Sequence, residues 1–441
     1  MPLEFVTMKR TLITNFISLS TVHIASYILP LIVLPYLVRV IGVEKFGLIT
    51  FAQALVFYFM VLTVFGFDLH MPKVISIAQD NLQQLKKLFW SAFYARVCLC
   101  LLSFIIYLFL ILSVERFRQE YLVFLFSFGF IIGDILFSLW FFQGMQRMAY
   151  IAILNFVSKL SYTISIFIFI KKESDYILVP IMFSFCQIST GLFAMFVTIA
   201  IFKLRPVQID ILEIIKMFKE TSFIFISNMS MSVYLRAPVL CLGFFAGNAS
   251  VAFYSAAEKI YGAIGGIQQN LSRVLFPHVS SLAVNFNTGE AIKFIRKAAL
   301  FIICLTALIS IICFLLAKQI ILIIYGLEFS ESVAILQILS FLFVIIGFSD
   351  IFGIQTMLPL NMTKEYSTSI LIGGIINVLL NVMMIPPFRH LGAAISLLIT
   401  QIAIAAIMYV FIKRQGLNLF DNLHIVGLAD KIARFYKNVF T

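Results

Sequence analysis

Charge is scarce in this chain: 12% of its 441 residues are Asp, Glu, Lys or Arg, and the mean hydropathy is +1.06. So few charges cannot cover the surface of a water-soluble protein this large. Long polar stretches are missing too. The longest connections between apolar runs, 70–87, 203–217 and 277–297, are too short to form a soluble domain. No G-x-x-x-x-G-K-[ST] loop occurs, which excludes an ATPase engine. There is no G-x-S-x-G elbow, and His23, His70, His278, His390 and His424 lack zinc-ligand spacing. Cys98, Cys100, Cys186, Cys241, Cys304 and Cys313 all fall inside apolar runs and read as small packing residues, not a disulfide framework. Nothing forms a catalytic constellation, so the expectation is a protein that is not an enzyme.

Membrane-length apolar runs are abundant. A helix of about 20 apolar residues crosses the hydrocarbon core. Such runs fall at roughly 12–41, 48–69, 88–113, 121–142, 149–170, 177–202, 218–245, 250–276, 298–325, 332–358, 367–386 and 392–412. Backbone groups in lipid must be satisfied within the segment, so these read as helices. A β-barrel would instead show alternating segments of about ten residues. The first run is too long for a signal peptide and no small-residue cleavage site closes it, although Met8 offers an alternative start to Met1.

Nineteen of the 32 Lys and Arg fall in the segments on one side of these spans, seven fall on the other, and six lie within or at the ends of spans. The positive-inside rule then places both termini in the cytoplasm. The net charge of +12 suits loops facing an anionic leaflet, and no nucleic-acid partner is expected. Residues 413–441 form a basic tail, with an amphipathic surface helix expected over 418–440. An internal repeat is hinted at by Gly42, Ala52 and Gln53, which pair with Gly247, Ala257 and Glu258 at a constant offset. Six spans separate the two stretches. The expected fold is therefore an all-α integral membrane protein, with twelve transmembrane helices in two six-helix parallel repeats, 1–205 and 206–412. Secondary transporters use this plan.

Ionisable residues inside spans are costly and usually face a bundle interior or an aqueous cavity. On the eighth span Tyr254, Glu258, Gly262, Gly265, Gln269, Ser272 and Arg273 share one broad face, widened by Lys259. That face reads as a cavity lining, against the alternative of an interfacial helix with snorkelling charges. On the seventh span Asn228, Ser232 and Arg236 follow at helical spacing, and Arg236 is placed to meet Glu258 or to join Lys259 in a cationic wall. Asp134 and Lys159 fall at one depth on adjacent antiparallel spans, which suggests an intramembrane pair, structural or functional. Arg96 and Asp68 are expected to snorkel to the inner interface. Asp350, with Ser349, Gly353 and Gln355, makes the inner half of the tenth span polar. His23, beside Ser20 and Tyr27, is a candidate for titration near neutral pH, or else a hydrogen-bonded packing residue. Pro30 and Pro35 predict a kink in the same span.

Several stretches resemble a known family. Phe46-Gly47-Leu48-Ile49-Thr50-Phe51-Ala52-Gln53, ending in Phe65-Gly66-Phe67, is similar to the opening hairpin of Wzx-type O-antigen flippases. So is Phe253-Tyr254-Ser255-Ala256-Ala257-Glu258-Lys259, followed by Leu275-Phe276-Pro277. Ile324-Tyr325-Gly326-Leu327-Glu328-Phe329, Ile335-Leu336 and Gly392-Ala393-Ala394 continue the resemblance to about residue 412. The resemblance implies a polysaccharide transporter of the multidrug/oligosaccharidyl-lipid/polysaccharide exporter superfamily. Such a protein moves an undecaprenyl-pyrophosphate-linked sugar repeat from the cytoplasmic to the periplasmic leaflet of the bacterial inner membrane. It also implies contact with membrane lipids and with other polysaccharide-assembly proteins. On this reading Arg236, Lys259, Lys159 and Arg273 are the candidates for the anionic head. Glu258, Asp134, His23 and Asp350 are the candidates for coupling to a proton or sodium gradient, and no metal or organic cofactor is expected. A multidrug exporter of the same superfamily is the alternative. A lipid II flippase would be expected to have two further spans, and a polymerase a long periplasmic loop.

Overall fold

The computed structural model describes the backbone of residues 2–285 and 288–417. Side chains are described from Leu29 onward, apart from positions 30 and 31 and others scattered through 227–293. No strand occurs among the described residues. In chain order the helices are α1 (Pro2–Val64), α2 (Phe67–Ala78), α3 (Leu82–Ser113), α4 (Glu115–Arg118), α5 (Tyr121–Ser127), α6 (Gly129–Phe137) and α7 (Leu139–Gly144). They continue as α8 (Met148–Phe169), α9 (Leu178–Phe202), α10 (Ile211–Phe245), α11 (Asn248–Asn285), α12 (Thr288–Ile324), α13 (Glu331–Phe352) and α14 (Thr363–Arg414). A π-helical turn, Gly353–Met357, extends α13. The surface helix expected over 418–440 lies outside the described residues.

Among the described residues, eight stretches are long and apolar enough to cross a membrane: Ile32–Ala78, Leu82–Ser113, Tyr121–Gly144, Met148–Phe169, Glu173–Phe202, Phe294–Ile324, Glu331–Met357 and Thr363–Arg414. Two of the helices carry a non-helical residue inside them. Gly42, at φ 74° and ψ 173°, interrupts α1, and Arg389, at φ 49° and ψ −129°, interrupts α14. The α14 break follows Pro386 and Pro387, which have no N–H to continue the helical ladder. Beyond it the chain folds back on itself. The Asn377 amide donates to Thr400 Oγ1 at 3.1 Å, and a Cβ on Gly373 or Gly392 would collide with Ile404 or with the Met384 carbonyl. α14 is thus a hairpin of two helices. Among the described residues α10 contributes a shorter apolar stretch, Leu235–Phe245.

The chain divides into two compact units. The first is Met1–Ala252 with Ile324–Gly326; the second is Phe253–Ile323 with Leu327–Thr441. α10, the seventh span of the sequence reading, packs on α1 within the first unit. The division expected at 205/206 was drawn from a hinted sequence repeat, whereas this boundary is one of compactness.

Within the first unit, α3 gives the axis its two ends. Near its start, the Trp90 indole donates to the Leu204 carbonyl at 3.1 Å, and Ser91 donates to Glu213 at 3.4 Å. At the same end Gly144 is pressed against Pro72 and Ile75, and His70 reaches Glu220 at 3.3 Å. Beyond its far end, Lys45 meets Glu120 at 2.9 Å, Tyr176 donates to Glu120 at 2.8 Å, and Arg116 donates to Asn248 at 2.8 Å. Successive connections therefore alternate ends, as antiparallel spans require. Gly47 lies tight against the start of α11: a Cβ there would run into the Asn248 carbonyl. A second close approach joins α6 and α9, where a Cβ on Gly191 would lie 2.5 Å from the Gly133 carbonyl. Small residues let helices in lipid gain contact through their backbones. Around the first end a buried core gathers Phe67, Met71, Phe89, Trp90, Trp140 and Phe141.

Candidate substrate and ion-coupling sites

The best-defined intramembrane charge pair belongs to the first unit. Arg96 on α3 contacts Asp134 on α6 at 2.7 Å; its side chain is 4% exposed and that of Asp134 is 27% exposed. Its Nε also donates to the Thr63 carbonyl at 3.3 Å. Thr63 lies at the end of α1, just before Phe65 and Gly66 take left-handed backbone angles of φ 45° and φ 80°. A helix end leaves carbonyls without intrahelical partners and carries a partial negative charge. Arg96 thus caps that end while neutralising Asp134. This corrects two expectations. The partner of Asp134 is Arg96, because α6 turns that face toward α3. Arg96 does not snorkel, because its side chain is buried between the α1 end and α6.

The fourth span is discontinuous: Ser138, at φ 43°, separates α6 from α7 four residues after Asp134. Lys159 is half-buried on α8. Its neighbour Ser158 donates to Gln187 Oε1 at 3.1 Å. Arg236 on α10 is half-buried, with its guanidinium 4.8 Å from the centre of the Phe57 ring. One turn earlier Ser232 donates to the Asn228 carbonyl at 2.7 Å.

Glu258 and Lys259 are half-buried on α11 in the second unit. The polar face to which Glu258 belongs has two environments. Gly262 and Gln269 are exposed, whereas Ser272 is buried against the π-helical turn after α13. There Gln355 Nε2 donates to both the Ser272 carbonyl and Ser272 Oγ at 3.0 Å. The structure therefore joins the polar inner half of the tenth span to the polar face of the eighth, two features that looked separate in the sequence. The side chains of His23 and Arg273 lie outside the described residues.

Several polar groups were not singled out from the sequence. Asn377 and Asn381 are fully buried in the α14 hairpin, where the Asn381 amide donates to Asn377 Oδ1 at 2.8 Å. Their spacing of four in an apolar run was a visible signal. The Lys45, Glu120 and Tyr176 cluster joins residues far apart in the chain and left none. Burial alone would lower the Lys45 pKa, but the hydrogen bond and charge of Glu120 outweigh it and hold it above its ordinary value. Among the described residues no three His, Cys, Asp or Glu side chains gather as a metal site.

An all-helical membrane architecture with buried charges and no catalytic cluster narrows the comparison with known proteins. Residues 12–283 match the family described as "Polysaccharide biosynthesis protein". This chain belongs to that family. Its curated relatives include the protein named "Putative O-antigen transporter" in Escherichia coli (strain K12), 28% identical over 93% of this chain and 99% of the relative. A protein of the same name in Shigella dysenteriae is 25% identical over 90% of this chain and 99% of that relative. The fold is shared with the lipid II flippase MurJ in an inward closed conformation, at a TM-score of 0.74 and 16% identity, covering 97% of this chain and 100% of that one. It is shared too with an inward-facing multidrug resistance MATE family transporter, at a TM-score of 0.68 and 13% identity over 91% and 98% of the two chains. These family relatives and fold neighbours are named as transporters or flippases, never as enzymes, and the non-enzymatic expectation rests on those names.

Proposed function

We propose that the protein flips undecaprenyl-pyrophosphate-linked O-antigen or related polysaccharide repeat units from the cytoplasmic to the periplasmic leaflet of the bacterial inner membrane. The supporting observation is the end-to-end match to two proteins named as O-antigen transporters, 99% of each being covered. The physical chemistry agrees with it. A lipid-linked substrate keeps its tail in the bilayer, so the protein has to lower the cost of moving only a pyrophosphate and its sugars. Half-buried cations on membrane helices do this by charge-assisted hydrogen bonding to phosphate oxygens. Arg236, Lys259, Lys159 and Arg273 are proposed for that role.

The proposal includes twelve spans in two parallel six-helix halves, 1–205 and 206–412, a tail over 413–441, cytoplasmic termini and alternating access between the halves. A proton or sodium gradient drives the cycle, with Glu258, Asp134, His23 and Asp350 as coupling candidates. For Asp134 the pairing with Arg96 gives that role a specific form: a cation arriving at the carboxylate competes with the guanidinium. Lipid-linked oligosaccharide, membrane lipids and other polysaccharide-assembly proteins are the expected partners.

The test is deletion of the gene, followed by leaflet-specific detection of lipid-linked repeat units. Rescue is attempted with wild type and with the Arg236→Ala, Lys259→Ala double variant, with matched expression verified. Cytoplasmic-leaflet accumulation relieved by wild type alone is the expected result. Absence of accumulation would refute the flippase reading in favour of a multidrug exporter. Equal rescue by both proteins would remove Arg236 and Lys259 from the substrate site.

A further inference from the structure

We infer that the start of α3 and the segment after α9 form a site for one anionic phospholipid, its phosphate held by Lys87, Lys203 and Arg205. This gives membrane lipid, one of the expected partners, a place and a charge. It rests on the membrane-spanning reading alone and not on what the protein carries.

One buried hydrogen bond assembles the site. Between α9 and α10 the chain runs outside any helix over 203–210, and it turns at Lys203, which takes a left-handed φ of 55°. Leu204 is fully buried, and its carbonyl accepts from the Trp90 indole at 3.1 Å. That contact seats the segment against the first turns of α3. Lys203 and Arg205, on either side of Leu204, are both exposed. On α3, Lys87 precedes Trp90 by three residues and Tyr94 follows it by four, so all three share one helical stripe. Lys87 and Tyr94 are exposed, and the Trp90 and Tyr94 ring centres are 5.4 Å apart. The carboxylates next along the chain are engaged elsewhere: Asp210 accepts from the Leu212 N–H at 3.0 Å, and Glu213 from Ser91 at 3.4 Å. Lys87, Lys203 and Arg205 form no ion pair among the described residues.

The surface that continues from these cations selects a lipid. The stripe through Tyr94 runs on as Cys98, Leu101, Ile105, Phe109 and Leu112, exposed at every one of these positions. From Tyr94 to Leu112 the helix rises about 27 Å, close to the ~30 Å hydrocarbon core. An exposed tyrosine at the end of such a stripe marks the headgroup level, where amphipathic aromatic rings collect. The cations therefore lie at phosphate depth, beside a lane for an acyl chain. A soluble anion has no use for that lane. A zwitterionic lipid brings an ammonium that the three cations repel, so the fit is to a net-negative head of the phosphatidylglycerol type. The proposed topology puts this end in the cytoplasm, the side on which basic pockets between membrane helices bind anionic headgroups.

Trp90 and Trp140 are the two tryptophans of the chain, so Trp140→Phe leaves Trp90 as the sole reporter. Full-length Trp140→Phe protein in mixed micelles of detergent and phosphatidylcholine is titrated with phosphatidylglycerol brominated near the headgroup end of its chains. Brominated phosphatidylcholine is the control, and no transport substrate is present. Saturable quenching of Trp90 is expected at mole fractions where the control lipid quenches little. Lys87→Gln, Lys203→Gln and Arg205→Gln should each weaken binding about fivefold, the factor for one surface cation's attraction to an anionic leaflet. Lys171→Gln, at the other end of the unit, should change nothing. Unaltered Trp90 emission before lipid is added shows that a variant keeps its fold. Equal quenching by the two brominated lipids would overturn the proposal, as would undiminished affinity in the triple Gln variant. Displacement of the brominated lipid by glycerol phosphate would overturn the lipid assignment in favour of a soluble anion. A failed flippase assay leaves this result standing, and the reverse also holds.

Discussion

The Arg96–Asp134 pair offers the sharpest quantitative test of the buried electrostatics. At 2.7 Å and an effective dielectric constant of about 20, the gross attraction is about 6 kcal/mol. Desolvation of both groups offsets much of that, so replacing the pair by apolar residues should change stability little. Removing one partner is different, because the other is left charged and uncompensated at a cost of about 3–5 kcal/mol. That is a large share of a total stability on the order of 5–15 kcal/mol. Arg96→Met should be the harsher single change, since it also uncaps the Thr63 carbonyl, to which Arg96 Nε donates at 3.3 Å. Asp134→Leu strands an arginine that is 4% exposed. The assay is the fraction of detergent-solubilised protein that stays monodisperse after heating, compared across wild type, both single variants and the double variant. Heat inactivation of such a protein is a rate rather than an equilibrium, so inactivation rates are compared at one temperature. The double variant should outlast either single variant, a strongly non-additive result. A double variant losing the sum of the single losses, within about 0.5 kcal/mol, would refute the pairing.

Three further outcomes follow from the packing. Gly191→Val should abolish accumulation of folded protein, because a Cβ there would lie 2.5 Å from the Gly133 carbonyl and overpacking costs about 1–3 kcal/mol even where relaxation is possible; fluorescence-detected size exclusion reads this directly. Thr400→Val, which removes the acceptor of the Asn377 amide at 3.1 Å, should destabilise the α14 hairpin by about 0.6 and at most about 1.7 kcal/mol, measured by thermal unfolding. Lys45→Ala should cost less than about 1 kcal/mol and lose its effect at high salt, since both partners of the 2.9 Å pair are partly exposed. Because the Lys45 pKa is raised, its contribution is fully present below the ordinary lysine value of 10.5 and is lost only as pH climbs through the higher folded value. Stability differences between wild type and Lys45→Ala should therefore be flat from pH 6 to pH 9.

Apolar runs made the helical membrane architecture legible, because lipid leaves the backbone no other way to satisfy itself. The polar face of α11 was legible for the same reason, its residues repeating at helical spacing. Pairing between helices was harder to read. Asp134 was read as lying within a span, yet depth along the helix does not give rotation about it. Rotation is set by the Gly133 and Gly191 contact, which turns α6 against α9 and points the following residue toward α3. Arg96 was misplaced because its position near a span end suggested an interfacial side chain. The decisive partner, the carbonyl of Thr63, exists only because α1 stops before Phe65. Gln355 was noticed as a neighbour of Asp350, but its convergence on Ser272 depends on one extra residue in a helical turn, which no hydrophobic pattern announces.

The buried polar clusters of the two units follow one physical rule. Charge inside a bilayer needs compensating dipoles, and an unbroken helix has none to spare because each carbonyl is already bonded along the chain. Interruptions release them. In the first unit Arg96 sits at the α1 end, and Asp134 lies four residues before the Ser138 break. In the second unit Asp350 lies three residues before the π-helical turn at Gly353–Met357. Discontinuous membrane helices hold substrate and ion sites in transporters for this reason. The same interruptions are where a helix bends most easily, since the hydrogen-bond ladder is already open. A cation that neutralises Asp134 or Asp350 would thus act at a point where backbone geometry and charge are adjustable together. That gives ion arrival a local route to helix movement without requiring a change anywhere in the packed aromatic core.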